Sequence, residues 1–113
     1  MIYALFVHFV ADFVCQSDAM ALNKSKSWYW LSMHIATYTA VLALGLGLWL
    51  GLLGLTIAVV NGAAHFSIDA GTSRASSYLW QRGQRHWFWC VIGLDQWMHA
   101  ALLVWTLRVI ARA

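Results

Sequence analysis

The run from Trp28 to about Leu46 is apolar almost without interruption, and roughly 20 apolar residues in a helix are what a bilayer core of ~30 Å requires. Three further segments of this kind can be marked: Met1 to about Cys15, about Gly54 to Asp69 or Ser73, and about His86 to Ile110. A chain of 113 residues has little left after such passages. The expectation is an all-α integral membrane bundle of about four transmembrane helices, with residues 1–113 as a single domain. Composition points the same way, because 62% of the residues are hydrophobic and only 10% charged, against about 25% charged in a soluble domain.

The first segment is short for a span and is expected to tilt, to thin the bilayer locally or to begin at the interface. It lacks a basic n-region and Asp12 interrupts it, so it reads as a retained helix and not as a cleaved secretory signal. Glycines 45, 47, 51 and 54 place a hairpin between about Gly47 and Gly54. Five of the seven basic residues lie in loops 16–27 and 74–86. The positive-inside rule then puts those loops in the cytoplasm and both termini outward, with Trp28, Trp30, Trp80, Trp87 and Trp89 belting the cytoplasmic face. No basic-aromatic strip suited to nucleic acid occurs; the cations read as topology signals and contacts to membrane lipid. Cys15 and Cys90 form no CxxC pair and read as packing residues.

Against this apolar background, Asp12, Asp69 and Asp95, and four of the five histidines, His8, His34, His65 and His99, fall inside the membrane segments. A charge at mid-bilayer costs at least ~2.5–3.5 kcal/mol on insertion scales, so each such group needs a partner and marks a candidate site. His8 and Asp12, His65 and Asp69, and Asp95 and His99 are each four residues apart, which sets each pair on one helix face. Gln16 and Asn61 extend two of these stripes by a further turn. Counted from the cytoplasmic end of each segment, the groups share a layer roughly 6–20 Å deep, so all four helices can contribute to one centre.

Imidazole and carboxylate suit zinc, manganese or iron, and a bundle core can present them from facing helices. The candidate metal residues are His8, Asp12, His34, His65, Asp69, Asp95 and His99. Seven exceed one tetrahedral site, so either two ions bind or some of these groups orient ligands and carry protons. Tyr38, one turn beyond His34, is a candidate hydrogen-bond partner, with ordinary packing as its alternative. Asn23, Lys24 and Lys26 read as caps and headgroup contacts, although a basic residue beside a site can also clamp an anionic substrate. Ser67 reads as satisfying a backbone carbonyl, and His86 as lying outside the site.

The ordered set His8-x3-Asp12-Phe13-x2-Gln16, Asn23-Lys24, His34 with Tyr38, Asn61-x3-His65-x3-Asp69 and Asp95-Gln96-x2-His99 resembles the family called domain of unknown function 3307, small bacterial and phage membrane proteins. The likeness spans nearly the whole chain. It implies the membrane fold, a bacterial inner-membrane location and functional weight on the polar motifs, with Gln16, Asn61, Gln96 and Tyr38 supporting the ligands. One departure is that the first basic residue after Asp69 is Arg74, later than the family pattern leads one to expect. The third-segment His-x3-Asp also looks like that of membrane-bound metal-dependent hydrolases. The leading expectation is therefore an intramembrane metal-binding protein, a hydrolase of a lipid-type or membrane-embedded substrate near the cytoplasmic face, carrying one or two divalent transition-metal ions. The alternatives are a proton- or ion-conducting or transporter bundle and a holin-like or scaffolding element, either of which can form a homo-oligomer. No individual residue is assigned a catalytic role.

Overall fold

The computed structural model describes residues 1–113. The chain forms α1 (Ile2–Phe9), α2 (Asp18–Asn23), α3 (Trp28–Leu50), α4 (Leu52–Gln81) and α5 (Arg85–Thr106), with π turns at Val10–Val14 and Leu107–Ala111 prolonging α1 and α5. No strand is present.

Three stretches, Trp28–Leu50, Leu52–Gln81 and Arg85–Ala111, are long and apolar enough to cross a membrane, whereas Ile2–Val14 is apolar but shorter. The expected count of about four spans is thus corrected to three plus one short helix. At 1.5 Å per residue, Ile2–Val14 reaches only about 20 Å, short of the ~30 Å hydrocarbon core.

The other boundaries move for identifiable reasons. α3 continues to Leu50 and the broad hairpin loop contracts to Gly51, whose φ of 60° is open to glycine at no steric cost. Gly54 lets α3 and α4 close up directly, because a Cβ there would collide with the Leu46 carbonyl oxygen. α4 passes its expected end at Asp69 or Ser73 and runs on to Gln81, so most of the expected loop 74–86 is helix. Ser73, Arg74, Ser76 and Ser77 end the apolar character, yet no Pro or Gly interrupts the backbone before Gly83. The first loop also contains α2, whose Ser17 cap accepts a bond from Met20 N at 3.3 Å.

α4 packs against both α3 and α5, and α1 lies across α3 and α5. One end of the bundle is filled by apolar side chains, among them Leu42, Leu46, Ile57, Ala58, Leu103 and Leu107, all fully buried. Outward-facing Leu44, Leu48, Val59, Trp97 and Trp105 are exposed, as expected where lipid is the solvent. Cys15 is half-buried and Cys90 exposed, and both are free. Cys90 therefore departs from the packing expectation and sits on the outer face of α5, 3.7 Å from His86 Nε2.

Candidate metal centre

Beyond the apolar end, α1, α3, α4 and α5 turn every one of the seven candidate residues inward, and His8, Asp12, His34, His65, Asp69, Asp95 and His99 are all buried. Asp12 lies in the π turn, where Cys15 N bonds to Val10 O at 2.9 Å. Such one-turn departures from α geometry recur at functional sites.

Four donor atoms converge most tightly. His34 Nε2 lies 3.1 Å from Asp12 Oδ1 and 3.4 Å from Asp69 Oδ2. His65 Nε2 lies 3.4 Å from each of the same two oxygens. The two Nε2 atoms are 3.2 Å apart. A tetrahedral ion with bonds of about 2.0–2.1 Å to nitrogen and oxygen has six ligand-to-ligand edges of about 3.3–3.4 Å, and these five separations are close to that length. Two imidazole nitrogens facing each other and two carboxylates need a cation or a shared proton between them.

The remaining groups surround this core. His99 Nδ1 donates to the Asp95 carbonyl at 2.7 Å and lies 3.3 Å from Asp95 Oδ2. The Asp95 carboxylate also accepts from Thr72 Oγ1 at 2.5 Å and from Gln96 at 2.9 Å. Asp95 is thereby occupied in holding the imidazole of His99. His8 Nδ1 is hydrogen-bonded to Tyr38 Oη at 2.8 Å, so Tyr38 joins the polar network instead of merely packing. Three overlapping triads, Asp12–His65–His99, His34–His65–Asp69 and Asp69–Asp95–His99, each place donor atoms within 4.8 Å of one another.

Two other expected supporters stand apart. Asn61 donates to Ile57 O at 2.9 Å and to Thr106 Oγ1 at 2.8 Å, tying α4 to α5 without touching a histidine. Gln16 is half-buried and its Oε1 has no hydrogen-bond partner. Ser67 is exposed and bonds back to Ala63 O, and His86 is exposed, both as expected.

Thr72 is the residue that sequence reasoning missed, and the pairing of Lys24 with Asp69 goes beyond its sequence reading as a cap, headgroup contact or anion clamp. Lys24 Nζ forms an ion pair of 3.0 Å with Asp69 Oδ2. Thr72 was open to discovery, since it lies three residues from Asp69 on the inward stripe that continues through Ser73 and Ser76. Arg74 is engaged elsewhere, with its guanidinium 4.0 Å from the Trp28 ring centre and bonded to Ala70 O.

A cavity of about 630 Å³ opens onto the centre between the α2 segment, the overrun of α4 and the start of α5. Asp69 and Asp95 line it toward the His/Asp cluster, Lys24, Lys26 and Ser73 supply polar groups, and Trp80 and Phe88 supply apolar ones. Ser73 Oγ is buried without a partner.

The family model described as "Protein of unknown function (DUF3307)" matches residues 1–112. No curated protein and no solved structure matches the chain.

Proposed function

The chain belongs to the DUF3307 family of proteins of unknown function, whose description names no reaction, and we propose from the buried centre that it is an intramembrane metal-dependent hydrolase of lipid-type substrates. The observation that carries this reading is the convergence of His34 Nε2, His65 Nε2, Asp12 Oδ1 and Asp69 Oδ2 at 3.1–3.4 Å. Charge supports it. Asp12, Asp69 and Asp95 stand against the single ammonium of Lys24, which leaves two negative charges in a buried site when the histidines are neutral. One zinc, manganese or iron(II) ion balances them.

A divalent ion held by His34, His65, Asp12 and Asp69 with a further position open to water would lower the pKa of that water toward neutrality and so supply hydroxide. Attack of the hydroxide on an ester phosphorus or carbonyl would form the new bond to oxygen and break the bond to the departing alkoxide, which would take up the proton released by the water. The cavity suits an amphiphile that enters from the membrane: Lys24 and Lys26 meet an anionic head, while Trp80 and Phe88 receive the start of its chain. We assign the cavity side to the cytoplasmic face of a bacterial inner membrane, in keeping with the basic residues around it.

A proton relay fits the site less well. Its path outward from the centre meets the fully buried Leu42, Leu46, Ile57 and Leu103, with only the closed Asn61–Thr106 pair beside them.

The test is metal content by mass spectrometry on detergent-purified protein, followed by hydrolysis of phosphate-ester and carboxyl-ester amphiphiles in mixed micelles. Wild type is expected to retain stoichiometric metal and to release product, and His65→Ala and Asp69→Asn to lose both. Folded wild type that takes up no zinc, manganese or iron on titration would overturn the reading.

A further inference from the structure

The tight cluster uses only half of its two shared carboxylates. Asp12 Oδ1 and Asp69 Oδ2 face His34 and His65, whereas Asp12 Oδ2 lies 3.8 Å from His8 Nε2 and Asp69 Oδ1 lies 3.8 Å from His99 Nε2. His8 Nε2 and His99 Nε2 are both buried with no hydrogen-bond partner. For His99, Nδ1 points at a backbone carbonyl at 2.7 Å and so carries a proton, which in the neutral imidazole leaves Nε2 with a bare lone pair. Burying that lone pair without a partner is unfavourable. Nδ1–H bonded to a carbonyl or carboxylate is also the arrangement that orients metal-ligating histidines. His8 is held by Nδ1 on Tyr38 Oη, and its Nε2 has a free lone pair in the tautomer in which Nδ1 donates to the hydroxyl.

We infer that the centre is dinuclear: Asp12 and Asp69 bridge two divalent transition-metal ions, the first held with His34 and His65 and the second with His8 and His99. The inference rests on the metal-centre reading above and goes beyond it by assigning a second ion and its ligands. Carboxylate-bridged pairs hold their ions about 3.5–4 Å apart and stabilise both the attacking and leaving oxygens of a displacement. The histidines of the two proposed ion sites are neighbours, with the tilted His65 and His99 rings 3.9 Å apart at their centroids and those of His8 and His99 6.0 Å apart. Charge then specifies the substrate class. Two divalent ions outweigh the two net negative charges that the centre otherwise carries, so the loaded site has a surplus of positive charge. That surplus favours an anionic phosphoester over a neutral ester. Ser73 Oγ, unpartnered and lining the same cavity, supplies a further donor for the phosphoryl oxygens.

The experiment loads detergent-purified full-length protein with manganese(II), counts ions per chain by mass spectrometry and records electron paramagnetic resonance spectra. Wild type is expected to hold two ions per chain with an exchange-coupled spectrum, and His99→Ala and His8→Ala to hold one, with an uncoupled six-line spectrum. The wild-type coupling carries the test even if a variant fails to fold. One uncoupled ion per wild-type chain would overturn the second site and leave the mononuclear hydrolase standing. No bound ion would overturn both. Competition between a phosphomonoester amphiphile, free inorganic phosphate and a neutral ester of equal chain length tests the substrate class. Preferential protection of the coupled signal by the phosphorylated amphiphile is expected; equal protection by inorganic phosphate would assign the site to free phosphate, and preference for the neutral ester would overturn the charge argument.

Discussion

At the scale of single residues, the two aspartates that look alike in the sequence have different jobs in the structure. Asp69 offers both oxygens to histidines and pairs with Lys24, while Asp95 spends its own on Thr72, Gln96 and His99 Nδ1. Asp69→Asn is accordingly expected to abolish stoichiometric metal, and Asp95→Asn to weaken binding 10–100-fold, the usual cost of losing a group that orients a ligand; metal titration with a competing chelator separates the two. Lys24 gives a change of opposite sign. Its ammonium sits on the same Asp69 oxygen that faces His34 and His65, so it would compete with an ion bound there. Lys24→Gln is expected to tighten metal binding about tenfold, about 1.4 kcal/mol, while raising KM for an anionic amphiphile; weaker metal binding in this variant would show that the ammonium supports the ion. The inward set of three four-residue pairs was legible because a charge in lipid must have a partner and the helix period says where that partner lies. The pairing of Lys24 with Asp69 was not, because its reach depends on how the connection through α2 folds back. Asn61 misled for a related reason: period placed it on the right face, yet it sits a turn deeper and finds Thr106.

At the scale of elements, hydropathy located the long apolar helices well and their ends poorly. α4 shows why: its polar turn at Ser73 to Ser77 leaves the apolar layer, but the backbone keeps its helical bonds until Gly83. Its 30 residues span about 45 Å, some 15 Å more than a hydrocarbon core of ~30 Å, and that excess forms one wall of the cavity. The π turn at Asp12 left no mark in composition or spacing, since His8 and Asp12 are four apart whichever hydrogen-bond pattern follows. The hairpin was legible as a glycine cluster, but sequence could not divide the glycines between turn and contact. Gly51 makes the turn and Gly54 the contact. Gly54→Val is expected to cost about 1–3 kcal/mol by forcing α3 and α4 apart, read as a lowered unfolding midpoint in detergent. An unchanged midpoint would mean that the helix pair does not depend on this approach.

At the scale of the whole molecule, the bundle has two unlike halves. The apolar end packs Leu42, Leu46, Ile57 and Leu103 against one another, whereas the other end gathers three carboxylates and four imidazoles whose mutual contacts are favourable only with protons or cations among them. α1, with its π-turn extension, is held to the rest by Ala4, Val7 and Ala11 in the core and by His8 and Asp12 in the centre. An ion bound there would therefore act as a tie between helices, and its removal would be felt by the entire fold. A ligand that binds only the native state stabilises it by ~4.1 kcal/mol when present at 1,000 times its Kd, and a protein that unfolds as one unit loses that amount when the ion is stripped. Chelation is thus expected to lower the thermal midpoint of wild type in detergent, and readdition of zinc or manganese to restore it. Asp69→Asn should start from the lower midpoint and respond to neither treatment. A wild-type midpoint indifferent to chelator, in protein shown to have lost its metal, would mean that the Lys24–Asp69 pair and the protons among the histidines suffice to hold the centre together.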